Sequence, residues 1–369
     1  MKVLFITNIP SPYRVSFFNE LGKYCNLTVL FEKKASEERN DSWEKYVFKN
    51  FIGIFLKGKS VSVDSAFCPS VIKYVKDKSF DHIICSTFSS PTGILAIEYM
   101  KRHHIAYWLE SDGGIAKNGK GFKEKLKKHI ISGANGYFST GNEHDNYYLA
   151  YGARREQLHR YPFTSLLKKD IISEHISESE KTDLRRKLGM SEEKIILSVG
   201  RFSYLNGYGK GYDVVMKVAS RLPKEYGFYI IGDSPTEEFI NMREKLKATN
   251  VHFIDFKNKN ELKLYYRASD LFVLMTIYDV WGLVINEAMA NGLPIITTDK
   301  CVAGLELIKN GENGYIVPVG DDDELENRIL EILLDKELLI YMSNNNLKKI
   351  QSYTIEKVTQ EHLRILNIK

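Results

Sequence analysis

Cysteine is scarce in this sequence: four in 369 residues, at Cys25, Cys68, Cys85 and Cys301, with no Cys-x-x-Cys spacing. That scatter argues against a zinc site or a disulfide framework and fits a reducing cytoplasm. Long apolar runs are missing too. No stretch approaches the roughly 18 residues of a membrane-spanning helix, and the apolar run in MKVLFITNIPSPYR is too short for a signal peptide, so it reads as a first strand. Proline (9) and glycine (25) are few, while 43% of residues are hydrophobic and 27% charged, which excludes a disordered or fibrous chain. A net charge of +5 does not by itself predict a nucleic-acid partner. The nine histidines, among them His103, His104 and His144, show no ligand spacing and are read as structural, so no metal site is expected. Internal repeats and low-complexity segments are absent.

What is present is alternation. Strand-like runs (KVLFIT, NLTVLF, DHIICS, HIAYWLE, GYFSTG) interleave with helix-like ones (SFFNELGKY, SVIKYVKDK, ILAIEYMKRH) through the first 160 residues or so. The pattern predicts a parallel sheet covered on both faces. From Ser165 to Ser191 the β pattern gives way to charged and polar residues, the best linker candidate. A second series follows: KIILSVG, FYIIGD, VHFIDF, DLFVLMT and PIITTD as strands, with helices from YDVVMKVASRL, TEEFINMREKLKA, KNELKLYYRA and LVINEAMAN. The fold class is therefore α/β, with two Rossmann-like, doubly wound domains expected to face each other across a cleft. Residues 1–170 form the first domain and 171–351 the second, with a terminal helix at about 352–369 packing back on the first.

Ligands of open parallel sheets bind beyond the carboxyl ends of the strands, so two loops of the second domain draw the argument. In SVGRFSYLNGYGKGYD, Ser198 to Asp213, a strand ends at Gly200, Arg201 follows at once, and Gly207, Gly209, Lys210 and Gly211 lead into a helix. Glycines let the backbone approach an oxyanion, the helix start adds partial positive charge, and two cations complete a diphosphate site. The bland alternative is a flexible loop with surface charges. Gly-x-Gly-x-Gly is not the dinucleotide fingerprint, and Lys210 precedes Gly211 rather than Ser or Thr, so this is not a P-loop either.

In DVWGLVINEAMANGLP, Asp279 to Pro294, a turn is followed by a helix that Gly292 stops. On a continuous helix residues eight apart lie about 12 Å apart along the axis. Asp279 and Glu287 therefore serve different parts of one extended ligand, or Asp279 sits on the loop and folds back. Gly282 at the helix start lets backbone N–H groups point at a phosphate, and Glu287 suits a vicinal diol such as a ribose. The alternative is a dipole-favoured acid with an incidental surface Glu.

Together, Gly-Arg, then Lys-Gly about ten residues on, then acid-x7-Glu-Ala-Met-Ala-x-Gly-x-Pro after a strand resemble the retaining glycosyltransferases of family 4, which have the GT-B architecture. The resemblance runs from LRRKLG through VHFIDF, LYYRASDLFVLMT and NGENGYIVP, and less sharply to NIPSPYRVSFFNEL. It implies that Arg201 and Lys210 bind the nucleotide-sugar diphosphate, that Glu287 holds the ribose, and that Asp279, where the family usually has Glu, contacts the transferred sugar. It also implies donor contacts from Gly200 and from backbone around Gly282 and Leu283, with Phe256 and Lys257 where the base is read. The nucleotide sugar, UDP-linked by preference, is a substrate, so no cofactor is implied, and two fixed cations make a metal unnecessary. The run GDDDEL, Gly320 to Leu325, is read as a helix cap rather than a metal motif.

The sequence departs from the family at YWLESDGG, where many members carry a His. Glu110 or Asp112 is then expected to orient a sugar hydroxyl or receive the acceptor's proton, unless the segment is only a capped turn. Arg14, in SPYR, is expected to meet an anionic group of the acceptor, unless it is a surface Arg.

Six lysines lie between Lys117 and Lys128, with Phe122, Leu126 and Ile130 at helical spacing. Such a helix suits an anionic membrane surface or is an ordinary solvated face. The function these features imply is transfer of a sugar from a nucleoside diphosphate sugar to a saccharide, lipid-linked in surface polysaccharide or glycan synthesis, by a hexosyltransferase of the cytoplasm or of the inner membrane face. A sugar phosphorylase, a nucleotide-sugar epimerase and a non-catalytic nucleotide-sugar-binding subunit remain alternatives.

Overall fold

The computed structural model describes residues 1–34, 47–116, 119 and 121–368. The chain clusters into two compact units, Met1–Ser165 with Tyr353–Lys369, and Leu166–Ser352.

The first unit begins with β1 (Lys2–Thr7), α1 (Pro12–Leu21), β2 (Asn26–Phe31) and β3 (Ile52–Phe55), then a small hairpin of β4 (Lys59–Ser60) and β5 (Ala66–Phe67). It continues through α2 (Val71–Val75), β6 (His82–Cys85), α3 (Pro91–Arg102), β7 (Trp108–Glu110), α4 (Phe122–Ile131), β8 (Gly136–Ser139), α5 (Asn142–Ala150) and β9 (Leu158–Arg160). Seven strands form one parallel sheet in the order β3-β2-β1-β6-β7-β8-β9. Val3 to Ile6 are fully buried, as befits a strand with helices on both faces. β3 and β9 are edge strands with half-exposed residues; β9 is only three mixed residues (LHR), whereas β3 (IGIF) lies in the apolar run from Phe51 to Leu56, which is not among the strand-like runs read above. Between β1 and β6 the strand order reverses, so the loops after them flank a switch point.

The second unit comprises α6 (Glu178–Leu188), β10 (Lys194–Val199), a 3₁₀ segment Tyr204–Lys210, α7 (Tyr212–Arg221), β11 (Tyr226–Ile231), α8 (Glu237–Lys245), β12 (Val251–Ile254), α9 (Lys259–Ala268) and β13 (Leu271–Leu274). Then come α10 (Leu283–Ala290), β14 (Ile295–Thr298), α11 (Val302–Leu307), β15 (Gly314–Val317), α12 (Asp322–Leu334) and α13 (Lys336–Ile350). Its six parallel strands run β12-β11-β10-β13-β14-β15, with the reversal between β10 and β13. The loops after those two strands are the two that the sequence singled out. The acidic run before α12 is a cap: Asp321 accepts the Glu324 N–H at 2.9 Å.

The chain then returns to the first unit as α14 (Ile355–Ile365), which packs against α1. Its His362 is fully buried and stacks on Phe138, with ring centroids 4.3 Å apart. No helix among the described residues is long and apolar enough to cross a membrane.

Candidate active site

In the second unit the glycine-rich stretch is fastened to the end of β13. The Gly209 carbonyl accepts hydrogen bonds from Thr276 Oγ1 at 2.9 Å and from Ile277 N at 3.2 Å. Gly211, at φ +67, packs so closely that a Cβ there would lie 2.1 Å from the Met275 carbonyl oxygen, so only glycine fits. This docking brings Lys210 Nζ to 2.7 Å from Asp279 Oδ2, with both side chains less than a fifth exposed. The Lys210 stem crosses Gly200, where a Cβ would sit 3.3 Å from Lys210 Cδ and Cε. Tyr212 donates to the Gly200 carbonyl at 2.8 Å.

Arg201 is half-buried and lies at the carboxyl end of β10. The backbone beyond it is pinned by Asp233, whose carboxylate accepts the N–H groups of Phe202 and, at 3.2 Å, Ser203. Asp233 follows β11 and received no role from the sequence. Its signal was an acid at a strand's carboxyl end, after Gly232, where a Cβ would meet the Gly200 oxygen at 2.0 Å.

Asp279 is on the loop, and Glu287 is a turn into α10. A parallel bridge to Cys301 holds the Asp279 backbone, its N–H donating to the Lys300 carbonyl at 3.0 Å and its carbonyl accepting from Val302 at 3.2 Å. Trp281, almost fully buried, anchors the turn through Nε1 to Asn286 Oδ1 at 2.8 Å. Gly282 then takes φ +102 as the residue before Leu283 opens α10. Beneath it, burial and the nearby Asp279 charge push the Cys301 thiol up to about 12, which keeps it a packing group. Glu287 is half-buried and accepts a hydrogen bond from Tyr266 Oη at 3.2 Å. Phe256, 44% exposed, and Lys257 lie on the loop after β12, two strands from the switch point. The second unit thus joins Lys210 and Asp279 in an ion pair with the Lys210 stem beside Gly200, with Arg201 on the same loop as Lys210 and Gly282, Leu283 and Glu287 following Asp279 on the next segment.

The first unit assembles a different cluster. Pro12 and the N-terminal turn of α1 present Tyr13 and Arg14 to the end of β7. Arg14, 5% exposed, bonds Glu110 and, through Nη2 at 2.6 Å, Asp112 Oδ1. Tyr13 donates its hydroxyl to Asp112 Oδ2. Tyr161 donates to Glu110 Oε1 at 3.2 Å, and His362 Nε2 lies 3.5 Å from Glu110 Oε2.

Two expectations change here. Arg14 is not a surface cation awaiting an anionic acceptor, because its charge is neutralised inside the unit. Glu110, only 1% exposed, cannot reach a sugar hydroxyl and serves as Arg14's counter-ion. Burial works to raise its carboxyl, but the charge of Arg14, helped by His362, outweighs it and holds the group at about 2. Asp112, with its side chain 37% exposed, is the open member of the cluster.

His144 braces this loop from α5. Its Nδ1 accepts the Thr140 N–H at 3.2 Å, so Nε2 carries the proton toward Ser111 Oγ at 2.9 Å. Burial drives its pKa down to about 3, leaving the ring neutral. These two shifts predict the acid response. Glu110 falls from 4.5 to about 2 and His144 from 6.5 to about 3 on folding. In both windows the unfolded chain binds more protons, so their contribution is fully present above pH 6.5 and is lost as pH falls toward 2. In urea melts across pH, His144→Gln should flatten the decline between 6.5 and about 3 and leave only the part due to Glu110, between 4.5 and about 2. Parallel curves for the variant and the natural chain would contradict this.

Residues 180–349 match the family described as glycosyl transferases, group 1. A Haemophilus influenzae protein described as an uncharacterized glycosyltransferase is 33% identical over 190 residues, 49% of this chain and 51% of its own. The lipopolysaccharide core biosynthesis glycosyltransferase LpsE of Rhizobium meliloti is 24% identical over 184 residues, 48% of this chain and 51% of its own. The chain spans about half the length of the curated relatives it matches. Among solved structures, HepE of Anabaena, in complex with UDP, superposes with a TM-score of 0.80 over 100% of both chains at 17% identity. That likeness is one of fold, and the fold is GT-B.

Proposed function

We propose, from the match of residues 180–349 to the group 1 glycosyl transferases, that the chain is a retaining transferase moving a sugar from a nucleoside diphosphate sugar to a saccharide. What carries the proposal is the Lys210–Asp279 pair, a cation and a carboxylate 2.7 Å apart at the switch point of a doubly wound sheet. As the C1–phosphate bond breaks, negative charge grows on the departing diphosphate and positive character on the sugar ring. Arg201 and Lys210 answer the first with fixed charge, which needs no reorganisation and no metal. Lys210 is a cation with three N–H donors, one of them on Asp279 at 2.7 Å, and its fixed charge is what the departing phosphate meets. Asp279 accepts a hydroxyl of the transferred sugar, and Glu287 accepts the ribose diol. The acceptor hydroxyl bonds to C1 on the face the diphosphate leaves, and its proton passes to the departing phosphate oxygen, so configuration is retained.

UDP is the favoured nucleotide, because HepE, of the same fold, is a UDP complex. Thermal shifts against UDP-, GDP- and ADP-sugars test this through mass action, with 100-fold excess over Kd adding roughly 2.7 kcal/mol. UDP-sugars are expected to stabilise most; stabilisation by none of the three would sink the donor assignment.

A lipid-linked acceptor and an anionic membrane surface complete the proposal. In α4, Ile130 and Ile131 point into the core, whereas Phe122, 80% exposed, and Leu126, 39% exposed, point outward beside Lys123, Lys125 and Lys128. The apolar positions therefore split between core and surface rather than forming one face. Lys117, Asn118 and Lys120 of that segment lie outside the described residues. Reversing Lys123, Lys125 and Lys128 to Glu should weaken binding to phosphatidylserine vesicles at least roughly 100-fold, at about 1 kcal/mol per basic residue. Unchanged sedimentation with vesicles would remove the membrane from the proposal.

A further inference from the structure

The exposed carboxylate of the first unit constrains what meets it. Asp112 stands just beyond the carboxyl end of β7, the end of a parallel sheet where ligands dock. Each of its oxygens already holds one donor, Arg14 Nη2 on Oδ1 and the Tyr13 hydroxyl on Oδ2. A carboxylate has about four acceptor positions, so one remains on each oxygen, on a side chain 37% open to solvent. The support behind it is stiff. Arg14 is 5% exposed and tied to Glu110, the Tyr13 ring lies edge-on to Phe163 at 5.7 Å, and Ser111 is held by His144.

One open acceptor position on each oxygen of a rigid carboxylate matches two neighbouring hydroxyls, as Glu287 is proposed to match the ribose. They repel a phosphate or a carboxylate, because Arg14's charge is already shared between Glu110 and Asp112. Resting on the glycosyltransferase reading, we infer that Asp112, positioned by Arg14 and Tyr13, is the docking group for a vicinal diol of the acceptor, so that the acceptor ring is an uncharged sugar rather than a uronate or sugar phosphate.

The experiment uses the full chain, the UDP-sugar selected by thermal shift, and 4-nitrophenyl pyranosides as acceptors: gluco and galacto parents, their 2-deoxy and 3-deoxy counterparts, and the matched uronides. UDP release above the acceptor-free rate is measured. The parents are expected to stimulate release at least tenfold more than the uronides, and loss of one hydroxyl of the bound pair to cost about tenfold in kcat/KM. In Asp112→Asn that deoxy penalty should shrink to within threefold, and Asp112→Glu should restore part of it. Tyr13→Phe, which only loosens the carboxylate, should keep the order of acceptors with a raised acceptor KM. Uronides matching the parents, a deoxy penalty unchanged in Asp112→Asn, or no stimulation by any glycoside while acceptor-free release proceeds would each overturn the inference. Failure to bind or turn over any donor would instead overturn the glycosyltransferase reading beneath it.

Discussion

Arg201→Ala and Lys210→Ala are each expected to lower turnover by roughly 100- to 1,000-fold, the usual loss when one preorganised charge-stabilising group is removed from a developing anion. The loss should fall on kcat more than on KM, because the charge these cations answer is largest in the transition state. The two variants differ in what they leave behind. Arg201→Ala removes a half-buried side chain from the loop after β10. Lys210→Ala also strips Asp279 of its 2.7 Å partner and uncovers Gly200. Adding Asp279→Asn to Lys210→Ala should therefore cost less than the two single losses combined, since groups in direct contact are not additive. Both single variants should melt close to the natural chain, because the pair is partly exposed and such pairs add little stability. Full turnover in both would refute the donor site.

Arg14→Leu is expected to destabilise the first unit by about 3–5 kcal/mol, the cost of leaving a buried charge without its partner. Glu110, with 1% exposure, would keep only His362 at 3.5 Å and the Tyr161 hydroxyl at 3.2 Å. Its carboxyl would then rise, because burial, the largest influence on it, is no longer outweighed. The variant should accordingly be least stable at neutral pH relative to the natural chain and recover in acid, the reverse of the usual trend. Arg14→Leu with Glu110→Gln should be more stable than Arg14→Leu alone, since the second change removes the charge rather than the side chain. Urea unfolding of the three proteins at pH 7 and pH 4 decides the matter, and a loss below about 1 kcal/mol for Arg14→Leu would place the pair among the weak ones.

The central strands were legible because a strand buried on both faces is largely apolar: Lys2–Thr7 and Asn26–Phe31 coincide with the runs KVLFIT and NLTVLF, and Lys194–Val199 falls one residue short of KIILSVG. The edge strand β9 was not, since half-burial leaves three mixed residues with no period of their own, and β3 and β15, though apolar, are only four residues long and each includes a glycine. The second unit's loops were legible for a related reason. Glycines at Gly211 and Gly282 adopt positive φ or admit close backbone contact, and those demands show in the residue type itself.

Side-chain partnership left no such mark. Nothing local distinguishes Arg14 as a buried cation from Arg14 as a surface one; its fate depends on Glu110 and Asp112, 96 and 98 positions away. Asp233 looked like a strand end, and only the approach of β11 to β10 made it the anchor of the chain after Arg201. His144 was read as structural, but its grip on Ser111 needed α5 folded onto β7. Hydrophobic period and glycine placement, which act over a few residues, determined the α/β layering and the position of the two glycine-bearing loops after β10 and β13. Which charges remain available to a ligand was decided by the fold, because a charge is neutralised or exposed according to groups that only tertiary packing brings within hydrogen-bond distance.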